Sequence, residues 1–162
     1  METIRHEVWI NASRNTVFKA ITSREGLDAW WGKVVNTDPQ VGSMVEFDHG
    51  LGDLLRMRII DLVPDDRLGS KCVSDFSEPS NPASEWLGTR LFFELADGER
   101  TGFEPIDSHI TRDRLTILRF RHTGWPSESR WFGYCNYAWG VTLEGLANYC
   151  EKEESSDPGE HQ

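Results

Sequence analysis

The stretch "WFGYCNYAWGVTLEGLANYC", residues 131–150, constrains this chain more than any other. It reads as one long helix near the end of the sequence. Its apolar and small side chains run Trp131, Tyr134, Cys135, Ala138, Trp139, Thr142, Leu146 and Tyr149, and Phe132, Val141, Leu143 and Cys150 widen the stripe. The resulting arc is roughly 200°, where a helix lying on one surface needs little over 100°. Such a helix has to be gripped over most of its girth. Gly133, costly in a helix interior, is expected at its start.

The rest of the chain supplies the grip. "IRHEVWI" alternates, with Ile4, His6, Val8 and Ile10 on one face, as a strand does. Ser13 is a good N-cap for a helix over residues 14–22, and "EGLDAWW" reads as a second short helix. Strands follow in "VGSMVEF", "LLRMRIIDLV", "LGSKCVSDF", "GTRLFFEL" and "RLTILRFRH", with a turn at "PDDR". "SEPSNPASEW" reads as a loop, and residues 96–113 as an irregular connection or a small extra hairpin. The predicted class is α+β: a curved antiparallel sheet of six or seven strands wrapped on a long C-terminal helix, with two short helices after the first strand. One domain is expected over residues 1–152. Residues 153–162 are acidic and almost free of apolar side chains, which predicts a disordered tail.

Composition removes several kinds of partner. With 27 acidic and 17 basic residues among 162, the formal charge is −10, which disfavours nucleic acid and anionic membrane surfaces. No segment approaches the roughly 20 apolar residues that span a bilayer, and "METIRHEVWINAS" lacks a signal-peptide core, so the expected location is cytoplasmic. Cys72, Cys135 and Cys150 are odd in number and carry no CxxC spacing, as reduced thiols would.

Motifs for chemistry are sparse. No HExxH or grouped His/Cys/Asp set points to a metal, and neither metal nor cofactor is expected. "FDHGLGD" lacks the lysine and helix of a phosphate loop. "DSH" at Asp107 to His109 holds triad residue types, but a triad is made in space, and a turn is the simpler reading. His6 and His122, on apolar strand faces, read first as buried histidines with satisfied bonds.

Taken in order, "VWINASRNTVFKAIT", "LDAWW", "VGSMVEF", "IIDLVPDDRL", "TRLFFEL", "LRFRHTGW" and "YAWGVTLEGLANYCEK" resemble the START-like (SRPBCC) superfamily. Within it the likeness is to the branch named after activators of the heat-shock-90 ATPase. Two departures stand out: Ala138 occupies a place where that helix often has Gly before its Trp, and residues 96–113 form a longer segment than usual. The resemblance implies a helix-grip fold with a cavity between sheet and helix that holds a small apolar or aromatic molecule. Strand alternation then nominates its lining: Phe93 on one strand, and Thr116, Leu118, Phe120 and His122 on another. Trp30, Trp31 and Phe47 come from the other end of the fold, and Trp131, Tyr134 and Trp139 from the helix. Each of these also suits plain core. The leading expectation is non-enzymatic ligand binding. The alternatives are a cyclase- or hydrolase-like use of the cavity through Thr116, His122 and Tyr134, and a chaperone-associated module docking a protein partner or a second copy of the chain.

Overall fold

In the computed structural model, which describes residues 1–50, 52–102 and 114–156, the alternation of the first strand becomes β1 (Glu2–Ile10). The chain then turns through α1 (Arg14–Thr22) and α2 (Arg24–Trp30). It builds β2 (Lys33–Asn36), β3 (Met44–Asp48), β4 (Leu55–Val63), β5 (Arg67–Cys72), β6 (Arg90–Glu99) and β7 (Arg114–Trp125). It closes with α3 (Phe132–Ser156). Neighbouring strands are antiparallel throughout, in the order β1-β7-β6-β5-β4-β3-β2. The first strand therefore pairs with the last, and the sheet curves around α3. The sheet has seven strands, within the expected six or seven, and one of them had no segment of its own in the sequence reading. That strand, β2, has one buried residue, Val34, and so shows no alternation.

The "DSH" of residues 107–109 and most of the segment after Glu99 lie outside the described residues, while β6 itself runs further than the sequence suggested. Among the described residues no helix is long and apolar enough to cross a membrane.

The grip on α3 is narrower than its composition implies. Its buried side chains are Cys135, Trp139, Leu143, Leu146, Ala147, Cys150 and Glu154, a single stripe at helical spacing. Tyr134, Tyr137 and Val141 face outward, with Tyr137 73% exposed. Trp131 precedes the helix, and its indole is packed under the Arg130 guanidinium with its N–H on the Pro79 carbonyl at 3.0 Å. The N-terminus of α3 is capped from two sides. Ser129 Oγ accepts from the Phe132 amide at 2.9 Å and donates to Glu85 at 2.6 Å, while Glu85 also accepts from the Trp131 amide at 2.9 Å. An anion at a helix N-terminus is favoured by the aligned peptide dipoles. Burial works against the Glu85 charge, but those hydrogen bonds and Arg130 prevail and hold its carboxyl below the usual range.

The expected tail starts later than residue 153: α3 continues to Ser156, and Glu154 is only 5% exposed, while residues 157–162 lie outside the described residues. Ser13 caps α1 as expected, accepting from the Thr16 amide at 3.2 Å. A capping box would place Glu at position 16 to take the Ser13 amide in return. Thr16 cannot do so, and Glu154 does it from α3, accepting from Ser13 N at 2.9 Å and from Thr16 Oγ1 at 2.5 Å. Charge-assisted bonds of this kind are worth about 1.5–3 kcal/mol each. Glu154→Ala should therefore lower unfolding free energy by about 2 kcal/mol in urea denaturation, and the exposed Lys152→Ala should leave it unchanged. Equal stability of the two variants would show that Glu154 does not hold α1.

The two short helices meet closely because of one glycine. A Cβ on Gly26 would stand 2.6 Å from the Ala20 backbone, so only glycine lets α2 approach α1 there. The Trp30 indole N–H then reaches the Ala20 carbonyl at 2.8 Å.

Candidate ligand cleft

Trp139 is the side chain around which the site is assembled. It projects from the buried stripe of α3, 3% exposed, into a group of rings. Phe120 of β7 lies 4.5 Å away between ring centroids, Trp31 at the end of α2 5.4 Å, and Trp86 of the β5–β6 loop 6.0 Å and nearly parallel. Between Trp139, Trp31 and Trp86 a cleft of about 230 Å³ opens to solvent. Its lining is Trp31, His49, Leu55, Pro82, Ala83, Trp86, Tyr134, Cys135, Ala138, Trp139 and Thr142. The small residues Ala138 and Thr142, one helical turn apart, leave the space that larger side chains would fill.

Trp86 is fixed by a chain of hydrogen bonds with one direction. An indole N–H only donates, so the 3.1 Å contact from Trp139 Nε1 requires a bare Nδ1 on His122. His122 Nε2 then carries the proton and donates to Thr89 Oγ1 at 2.8 Å. Thr89 Oγ1 passes its own proton to the Trp86 carbonyl at 2.6 Å. His122 is fully buried, ringed by Trp86, Trp125 and Trp139, and burial pulls its pKa down to about 3. The histidine is thus a neutral strut that ties the loop carrying Trp86 to the helix carrying Trp139. The same loop is tied to β4 through Ser74, which accepts from the Arg56 amide at 2.6 Å and donates to the Leu54 carbonyl at 2.9 Å.

His49 forms the opposite wall. Its Nε2 lies 3.3 Å from the Trp31 carbonyl, which can only accept, so Nδ1 is again the bare nitrogen. Burial lowers the pKa of this ring and keeps it neutral, against smaller opposing effects from the Trp31 carbonyl and Asp48. A Cβ on Gly32 would meet the ring at 2.4 Å, so glycine at that position makes room for it.

Of the side chains nominated from sequence, Trp31, Tyr134 and Trp139 line the cleft. Tyr134 sits at its mouth, 54% exposed. Trp30, Phe47 and Phe93 border instead a separate void of about 20 Å³, room for no more than a water. Thr116, Leu118, Phe120 and His122 lie outside the lining of both. Leu118 and Phe120 are core, and Thr116 Oγ1 donates to the Ala12 carbonyl at 2.7 Å. Trp131 is held away over Pro79. The polar trio of Thr116, His122 and Tyr134 is therefore dispersed: two members are buried and bonded within the core, and one is at the surface. Among the described residues no three His, Cys, Asp or Glu side chains group to hold a metal ion.

Sequence reasoning missed Trp86, His49 and the small residues of the floor. A tryptophan inside the Ser- and Pro-rich "SEPSNPASEW" was the available signal, since an indole in such a loop has to find cover.

Comparison with known proteins places this architecture. A family model described as Activator of Hsp90 ATPase homolog 1-like protein matches residues 11–151. No curated protein gives a significant match. Among solved structures, the Aha1 dimer from Colwellia psychrerythraea is 25% identical, with 93% of this chain and 97% of that chain covered and a TM-score of 0.71. A protein from Mesorhizobium loti is 18% identical, covering 96% and 99% with a TM-score of 0.72. DynU16, from the dynemicin biosynthetic locus, is 18% identical over 93% of this chain and 48% of its own, with a TM-score of 0.65.

Proposed function

The chain belongs to the family of Activator of Hsp90 ATPase homolog 1-like proteins, and within that fold we propose that it binds a small, largely apolar aromatic molecule in the cleft beside Trp139. The observation that carries this reading is the three-tryptophan wall. Trp31, Trp86 and Trp139 flank an open space, and two of them are held in place by the His122–Thr89 chain. A core built only for stability would close on itself, whereas here Ala138 and Thr142 keep about 230 Å³ free. A cavity of about 150 Å³ already accepts benzene, so a fused bicyclic ring is a reasonable occupant. Burial and internal bonding of Thr116 and His122 favour binding over catalysis, since neither group is free to move a proton.

Titration with a fluorescent apolar probe tests the reading. The wild-type protein should bind it saturably at one site. Ala138→Phe fills the cleft from the helix side and should weaken binding at least about tenfold, a loss of about 1.4 kcal/mol, while the protein stays folded by circular dichroism. Absence of saturable binding to wild type, or equal binding by the variant, would remove the cleft as the ligand site.

A further inference from the structure

β1 is an end strand of the sheet: among the described residues it pairs with β7 alone, and its other edge carries no strand. An edge of nine residues is a template for pairing with another chain. Arg5, near the middle of β1, is exposed and pairs with no acidic side chain among the described residues. Its neighbour across the ladder is Arg121, a like charge. Two residues on, Glu7 accepts from Trp9 Nε1 at 2.9 Å and from Arg119 Nε at 3.3 Å, and a carboxylate has room for further bonds.

His6 is the central residue of β1 (Glu2–Ile10). Laid antiparallel on a copy of itself about His6, the strand sets Arg5 opposite Glu7 and Glu7 opposite Arg5. Thr3 then meets Trp9 and Ile4 meets Val8, pairings of β-branched and aromatic residues that favour a sheet. Symmetric registers centred one residue to either side would set Arg5 on Arg5 or Glu7 on Glu7. Only the centred register joins opposite charges. The helix below supplies a matching flank. His6 Nε2 lies 3.0 Å from Asn136 Oδ1, and a Cβ on Gly140 would stand 3.5 Å from the same ring, so Asn136 and Gly140 lie under β1. About 100° further round α3, away from the buried Trp139 and Leu146, Tyr137 and Val141 are 73% and 56% exposed.

We propose that two copies of this chain associate through β1, edge to edge and antiparallel about a two-fold axis at His6, with Arg5 of each copy paired to Glu7 of the other. An axis perpendicular to the sheet makes the interface isologous. It keeps both α3 helices on one face of the joined sheet, with Tyr137 and Val141 turned toward the junction.

Sedimentation equilibrium of the full chain, at concentrations up to millimolar, tests this. Wild type should reach twice the mass of one chain. Arg5→Glu sets glutamates opposite each other and should raise the dissociation constant at least about tenfold. Glu7→Arg should do the same with arginines, both variants staying folded by circular dichroism. An equimolar mixture of the two variants sets Glu against Arg at every pair and should restore the dimer. Cysteine substitution reads the register. Residue 6 faces its own copy within the distance a disulfide spans, so mild oxidation should link His6→Cys and not Arg5→Cys. The native thiols are buried. This cysteine pair decides alone if a charge variant fails to fold. A wild type that stays monomeric throughout would overturn the proposal. A dimer unaffected by Arg5→Glu and Glu7→Arg would overturn it too, placing the association on another surface. So would a mixture that stays monomeric, since charge would then not be what the variants lost.

Discussion

Trp139→Ala is expected to lower unfolding free energy by about 3–5 kcal/mol, the range of large aromatic truncations in cores. The indole is 3% exposed and packed against Phe120, Trp31 and Trp86, so its removal deletes the centre of the ring cluster. Two further effects oppose each other. Water can enter the enlarged space from the open cleft, which softens the cavity term. His122 Nδ1 loses the Trp139 donor, and a buried acceptor without a partner costs about 1–3 kcal/mol. Trp139→Phe separates these contributions: it keeps a ring among the other rings and removes only the N–H, and should cost about 1–3 kcal/mol. Urea denaturation of both variants beside Leu146→Ala, a fully buried aliphatic position on the same stripe, supplies the scale. A cost below about 1 kcal/mol for Trp139→Ala, ordinary for a surface site, would mean that the helix does not lean on this side chain.

Acidification should destabilise the protein through His122 well above the range where carboxylates titrate. In the unfolded chain this ring takes up its proton near pH 6.5, and in the folded protein burial defers uptake to about 3. Between those values the unfolded state binds the extra proton, so stability falls as pH falls, and the full stabilisation is present only above the unfolded value. Lowering the pH from 7 to 5 should cost wild type about 2 kcal/mol from this group alone. His122→Gln removes the titration while leaving groups that can accept from Trp139 and donate to Thr89. The fall in unfolding free energy from pH 7 to pH 5 should therefore be about 2 kcal/mol smaller in the variant than in wild type. His49, also depressed by burial, contributes equally to both proteins and cancels. Stopping at pH 5 keeps Glu85 out of the comparison, because its lowered pKa confines its loss of stabilisation to more acid conditions. Identical pH profiles would show that His122 is not held neutral in the folded protein.

The order of elements was legible because it rests on local periodicity. Alternation in β1, β4, β6 and β7, the Ser13 cap and the apolar stripe of the last helix each act within a few residues, and together they demand a sheet around that helix. Tyr134 and Trp139 stand on that helix and Trp31 at the end of a short one, and all three were nominated only once the family resemblance implied a cavity. What periodicity could not decide was which aromatic positions face space and which face core. At about 100° per residue, Tyr134 and Trp139 stand about 140° apart on the helix, too far to share one buried arc. Tyr134 was accordingly left at the mouth and Trp139 taken into the core. Trp86 entered the site from a loop without period, placed there by Thr89, Gly88 and Glu85, whose bonds reach β5, β7 and the start of α3. Glu154 looked like a solvated tail residue because its partners, Ser13 and Thr16, lie at the opposite end of the chain. In each case the deciding contact joins residues far apart in sequence, and only the folded backbone brings them within hydrogen-bonding distance.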